Sequence, residues 1–170
     1  MRLWVGILGG TLFSLGCAGS QASPERQPAI PPDGRVVRLK VQVLPTLAPG
    51  GHDEIVVGFS ILPGFHVMSD RPSKPNYIPT ALVFDAGNPT DIVLDDPHYP
   101  PPIPFVLADE TIRTFQSEGT IRVSLNVAHD AVAADRALKG MLRYQACTER
   151  GCLFPRSEPF VVPIRIQMAQ

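Results

Sequence analysis

Charge is scarce in this chain: only 18% of its 170 residues are Asp, Glu, Lys or Arg, split as 15 basic against 16 acidic for a formal net charge of −1. A nucleic-acid-binding domain usually carries a basic stripe. None is present, so nucleic acid is not expected as a partner. Long apolar runs are scarce as well. The stretch over residues 3–15 falls short of the roughly 20 residues a helix needs to span a bilayer. Internal repeats and low-complexity tracts are absent. The 19 prolines and 14 glycines disfavour long helices, because proline lacks the amide donor and clashes inside a helix. Cysteine is limited to three residues, Cys17, Cys147 and Cys152.

What is there begins with a leader. Arg2 gives a small positive n-region, and Trp4, Val5, Ile7, Leu8, Leu12 and Phe13 supply an apolar h-region of signal-peptide length. Cys17 follows Ser14-Leu15-Gly16, a stretch that resembles a bacterial lipobox, in which the cysteine becomes the lipidated first residue. Cleavage after Ser20 or Ala22 is the other outcome and gives a soluble periplasmic protein. The expected organisation is a signal peptide over 1–17 with Cys17 as the lipidation site, a linker over 18–34 and a folded domain over 35–170. Pro24, Pro28, Pro31 and Pro32 make the linker a fairly extended tether. The expected location is the periplasm, with membrane contact only through a lipid on Cys17. An exported compartment permits a disulfide between the two remaining cysteines.

Beyond the linker, hydrophobicity alternates with period two, the signature of strands with one wet face. Val37, Leu39, Val41 and Val43 form one such set, Ile55, Val57, Phe59 and Ile61 a second, and Ile121, Val123, Leu125 and Val127 a third. Leu142, Tyr144 and Ala146 form another, and Phe160, Val162, Ile164 and Ile166 the last. Residues 81–84 and 92–94 are shorter candidates, and 130–136 carries the single helical hint. Seven or so short strands between Gly- and Pro-rich turns predict an all-β sandwich. Two long connections, 64–79 and 95–109, stand out as candidates for function.

Cys147-Thr148-Glu149-Arg150-Gly151-Cys152 is the chemical centre. Cys147 ends a strand, Gly151 permits a tight turn and Cys152 starts the return, a geometry that can hold two sulfurs at disulfide distance. Three readings are open. As a structural staple the pair is weak: a six-residue loop gains about 2 kcal/mol, against about 4.7 for a hundred-residue loop. As a reachable redox group it would be labile through strain or exposure. As half of a zinc site it needs two further ligands, and His52, His66, His98 and His129 are scattered without paired spacing. No metal or cofactor is therefore expected. Arg150 favours a thiolate here and Glu149 opposes it.

Tyr144-Gln145-Ala146-Cys147-Thr148-Glu149-Arg150-Gly151-Cys152-Leu153-Phe154-Pro155 resembles the Tyr-Gln-x-Cys…Cys-x-x-Pro signature of the DsbD N-terminal (α) domain family. Gly64-Phe65-His66-Val67-Met68, followed by Ile78-Pro79-Thr80, is similar to that family's earlier strand and loop. The resemblance covers about residues 35–167. It implies an immunoglobulin-like sandwich in which Cys147 and Cys152 cycle between disulfide and dithiol. It also implies thioredoxin-like partners in the periplasm, or a membrane electron carrier of DsbD type. A cap loop should shield the sulfurs from within 95–109, with Tyr99 or Phe105 as the shield. His66 and Met68 fall where the family places neighbours of the disulfide, and Tyr144 and Phe154 should flank it. The sequence has neither a polytopic membrane region nor a thioredoxin-like Cys-x-x-Cys, so its electron donor is expected on another chain. The rival reading is a non-redox, immunoglobulin-like binding lipoprotein with a structural disulfide.

Overall fold

The computed structural model describes residues 28–107 and 109–168, and the signal-peptide and Cys17 expectations lie outside them. Twelve strands follow one another: β1 (Val37–Val41), β2 (His52–Ile61), β3 (His66–Met68), β4 (Ala81–Phe84), β5 (Ile92–Leu94), β6 (Ile103–Leu107), β7 (Glu110–Gln116), β8 (Glu118–Val127), β9 (Ala134–Tyr144), β10 (Ala146–Thr148), β11 (Gly151–Cys152) and β12 (Arg156–Ile166). They form three antiparallel sheets ordered β1-β2-β8-β5, β12-β9-β4 and β11-β10-β3-β7-β6. The architecture is an all-β sandwich, as the alternation predicts, and of the immunoglobulin-like type that the resemblance implies.

Period-two patterning explains the core. In β2 the odd residues Ile55, Val57, Phe59 and Ile61 are buried, and their partners in β8, Val123 and Ile121, are fully buried on the same face. In β12 the even residues from Glu158 to Ile166 are buried while the odd ones face outward. These two inner faces, with Leu138, Leu142 and Tyr144 of β9, make one contiguous cluster. Polar groups inside it are matched. The Tyr144 hydroxyl donates to Glu158 Oε1 at 3.3 Å, and Arg35 Nε pairs with Glu158 Oε2 at 3.3 Å.

The third sheet grows out of the other two. β3 follows β2 after residues 62–65, β8 follows β7 after Ser117, and β10 follows β9 after Gln145. Val67, Phe115 and Ala146 carry its inner face into the main cluster. Its outer face has a satellite cluster of Met68, Ile112 and Cys147, with Tyr77, Phe105 and Leu107 packed against it. The chain enters β3 through Gly64, whose φ of 82° lies in the left-handed region and whose missing Cβ would meet Pro28 at 2.8 Å.

Three expectations are corrected. The helical hint at 130–136 is a turn running into β9, because Ala134 and Arg136 pair with Ile166 and Ile164 of β12 and that pairing overrides alanine's helix propensity. Val43 is 76% exposed because β1 stops pairing with β2 at Val41. The connections 64–79 and 95–109 contain strands β3 and β6.

Replacing Gly64 by alanine should destabilise the chain by about 1–2 kcal/mol, the cost of a left-handed conformation for a residue with a Cβ. Urea denaturation of the variant should show a lower midpoint with an unchanged slope. An unchanged midpoint would mean that this turn does not set the position of β3.

Candidate redox site

Register places the chemistry. Cys147 and Cys152 are Cα partners across the β10–β11 hairpin, 3.9 Å apart in Cα, and their sulfurs are bonded at 2.02 Å. The hairpin is closed by Glu149 and Arg150, and Gly151 supplies a φ of 157° that side-chain-bearing residues rarely adopt. Thr148 Oγ1 ties the turn together by donating to the Gly151 carbonyl at 3.3 Å and accepting from Arg150 N at 3.2 Å. Beyond the pair, Leu153 N donates to the Ala146 carbonyl at 2.8 Å and Gln145 Nε2 donates to the Leu153 carbonyl at 3.0 Å. The two cysteines are unequal. Cys147 is fully buried, whereas β11 is the sheet edge and Cys152 is exposed.

Directly opposed residues in antiparallel strands share a face. Cys147 faces His66 of β3, His66 and Met68 face Gln116 and Thr114 of β7, and Thr114 and Ile112 face Ile103 and Phe105 of β6. One outer face therefore runs from Cys152 through Cys147, His66 and Met68 to Phe105. The Phe105 ring leans on the His66 ring with centroids 4.1 Å apart. His66 is 2% exposed, and its Nε2 makes no hydrogen bond to any described residue. Burial holds its pKa below the usual 6.5, so the ring is neutral at pH 7.

Two grooves flank the pair. The larger, of about 820 Å³, is lined among others by His66, Phe105, Gln116, Glu118, Glu149 and Arg150. The smaller, of about 370 Å³, is lined by Pro28, Ile30, Phe65, Cys152 and Leu153 among others. The segment 69–80 folds back over β7. There Thr80 Oγ1 donates to the Met68 carbonyl at 2.6 Å, Ser73 Oγ accepts from Arg113 N at 3.1 Å, and Lys74 Nζ meets Glu110 at 2.7 Å. No group of metal-ligating side chains occurs among the described residues.

The residues singled out in the sequence thus fall in three places. Cys147, Cys152, His66, Met68 and Phe105 share the outer face. Tyr144 and Tyr99 sit in or against the main core: Tyr144 is bonded to Glu158, and Tyr99 is stacked on Phe115 at 6.3 Å with its hydroxyl accepting from Leu82 N at 2.7 Å. Phe154 is 90% exposed, two residues beyond Cys152. Sequence reasoning missed Tyr77, Leu107, Ile112 and Gln116. Alternation in β7 was hidden because its outer face mixes Ile112 with Thr114 and Gln116. Thr114 is nonetheless fully buried, its hydroxyl donating to the Ile103 carbonyl at 2.9 Å.

A family model described as the N-terminal domain of thiol:disulfide interchange protein DsbD matches residues 34–163. Among solved structures, the N-terminal periplasmic domain of ScsB from Proteus mirabilis is similar, with a TM-score of 0.51 and 15% identity over 79% of this chain. The aligned part is 48% of that structure, so this chain spans about half of its length. The reduced N-terminal domain of DsbD from Neisseria meningitidis aligns at 20% identity over 65% of this chain and 76% of its own, with a TM-score of 0.41. The ScsB likeness shows a shared fold. No curated protein matches the chain in sequence.

The depressed pKa of His66 has a thermodynamic consequence. As pH falls, the unfolded chain protonates His66 near 6.5 while the folded one does not, so stability is lost below 6.5 until the folded pKa is passed. Urea midpoints of the oxidised chain at pH 7.5 and 5.5 should therefore differ more in the wild type than in His66→Phe. Equal differences would contradict a buried neutral imidazole.

Proposed function

The chain belongs to the family of DsbD N-terminal domains, and on that premise we propose that it exchanges disulfides with partner proteins in the periplasm through Cys147 and Cys152. The carrying observation is the inequality of the pair: Cys152 is exposed at a sheet edge, and Cys147 is fully buried one strand inward. A pair that only stapled the fold would have no need of a reachable sulfur, and its short loop would stabilise little.

The exchange runs as follows. In the oxidised chain, a partner's thiolate attacks Cys152 Sγ. The sulfur–sulfur bond breaks, Cys147 leaves with the electron pair, and a mixed disulfide joins Cys152 to the partner. A second partner thiolate then releases Cys152, and the chain is left reduced by two electrons. In the reverse sense, reduced Cys152 attacks a client disulfide, and Cys147 resolves the mixed disulfide by attacking Cys152 Sγ. Exposed Phe154 and the two grooves provide surface for docking next to the reacting sulfur. Of the two aromatics expected to shield the pair, we assign Phe105, because it packs against the cluster containing Cys147 while Tyr99 packs against the main core. Met68 packs in the same buried cluster as Cys147, and Tyr144 anchors the end of β9 from which β10 continues. The partners that fit are thioredoxin-like proteins and a membrane carrier of DsbD type. A signal peptide over 1–17 and a lipid on Cys17 belong to the same proposal, as the means of holding a 35–170 domain near such a carrier.

Incubating reduced Cys147→Ser and Cys152→Ser chains with a periplasmic thioredoxin that keeps one active-site cysteine, activated as its aryl mixed disulfide, should give a protein–protein mixed disulfide in intact-mass spectra with release of the aryl thiol. Because exchange depends on access to the attacking sulfur, Cys147→Ser should trap about tenfold more than Cys152→Ser. If neither variant traps a partner, exchange is not the function. Equal trapping would overturn the assignment of Cys152 as the reacting sulfur.

A further inference from the structure

One group on the outer face has no part in an exchange written with sulfurs alone. His66 stands directly opposite Cys147 in the register and shares its face. Residues so placed hold their Cβ atoms about 4.5–5.5 Å apart. Both are buried, and His66 Nε2 makes no hydrogen bond among the described residues. A buried polar nitrogen without a partner is destabilising, and its retention points to a partner gained in another state. In the disulfide, Cys147 Sγ is bonded to sulfur and carries no proton. Reduction creates a thiol at that buried sulfur, on the face where His66 lies.

We propose that His66 is the proton partner of Cys147. The inference rests on the exchange reading above. In resolution, Nε2 takes the proton from Cys147 Sγ, and the resulting thiolate attacks Cys152 Sγ in the mixed disulfide. The Cys152–partner bond breaks, the partner leaves as a thiolate, and the imidazolium returns its proton to that thiolate or to solvent. The domain is oxidised by two electrons and the partner's disulfide reduced by the same two. Run backwards, Nε2 takes a proton from the incoming partner thiol or from solvent and passes it to Cys147 Sγ as that sulfur leaves, so that burial does not hold an unpaired thiolate.

The remaining groups around this face leave His66 in that role. β6 presents Phe105, β7 presents Thr114 and Gln116, β3 itself adds Met68, and the 69–80 segment adds Tyr77, whose hydroxyl donates to Glu110. The charged residues lining the adjacent groove are Glu118 at the start of β8 and Glu149 and Arg150 in the β10–β11 turn. His66 is the titratable residue among these that stands opposite Cys147 in the strand pairing. Phe105 packs on its ring and fixes its plane.

Two measurements on the full chain test this. The first mixes reduced protein with an aryl disulfide that releases a coloured thiolate, giving one release as Cys152 forms the mixed disulfide and a second as Cys147 resolves it. His66→Phe should leave the first phase unchanged and slow the second by about 100-fold at pH 7, the scale of general-base catalysis. The lost rate should return as pH rises, as hydroxide takes over removal of the thiol proton. His66→Gln should behave like His66→Phe. A second phase with wild-type rate and pH profile in both variants overturns the proposal. The second measurement needs no variant. The His66 Cε1 proton, titrated by NMR, should report a lower pKa in the reduced chain than in the oxidised one, because a thiol donating to Nε2 favours the neutral ring, and equal values overturn the proposal. If no first phase is seen, the exchange reading fails on its own, and the comparison of NMR titrations still decides the role of His66.

Discussion

Strand register in the sheet β11-β10-β3-β7-β6 is the constraint on which the site depends. A strand's side chains alternate between faces, so a one-residue slip moves every one of them to the other side. With Cys147 opposite His66, the cysteine, the histidine and Met68 share the outer face, while Ala146 and Val67 plug into the main core. A slip in β10 alone would drive Cys147 into the sandwich and leave Ala146 facing His66. The large inner cluster prevents this, because β10 continues β9 and β9 is paired over its whole length with β12. The stability of the sandwich is thereby converted into positional accuracy at the sulfurs.

The same sheet gives the pair its inequality. β11 is a short edge strand, and a short edge is one way proteins keep unpaired backbone from recruiting other chains. Here the edge leaves one sulfur accessible while its partner sits one strand inward, covered by Met68, Ile112 and Phe105. The fold thus separates two tasks that thiol exchange requires. In the exchange we propose, Cys152 is the sulfur that meets other proteins and Cys147 the one withheld from solvent until the first has reacted.

Much of this was legible in sequence. The core strands announce themselves through clean alternation, as in Ile55-x-Val57-x-Phe59-x-Ile61, and the short strands Ala81–Phe84 and Ile92–Leu94 were read with their observed bounds. The hairpin was legible because two cysteines bracket a turn closed by Gly151. The outer face was not. β6 carries Pro104 and β7 mixes Thr and Gln with Ile112, so neither reads as a strand, and both owe their pairing to each other and to β3. That His66 and Phe105 meet follows from two strand pairings in succession, and local sequence carries no trace of such pairings. The helical hint at 130–136 failed for a related reason: local propensity yielded to pairing with a strand some thirty residues further on.

The central claim is that Cys147 and Cys152 form a working redox couple in a domain that stays folded in both states. A redox titration in a glutathione or dithiothreitol series, with circular dichroism recorded at each point, tests it most directly. The account predicts a reversible midpoint in the range of exchange proteins, about −270 to −120 mV, with the strand signal intact throughout. A midpoint below about −300 mV, or loss of the fold on reduction, would contradict it and identify the pair as a structural disulfide.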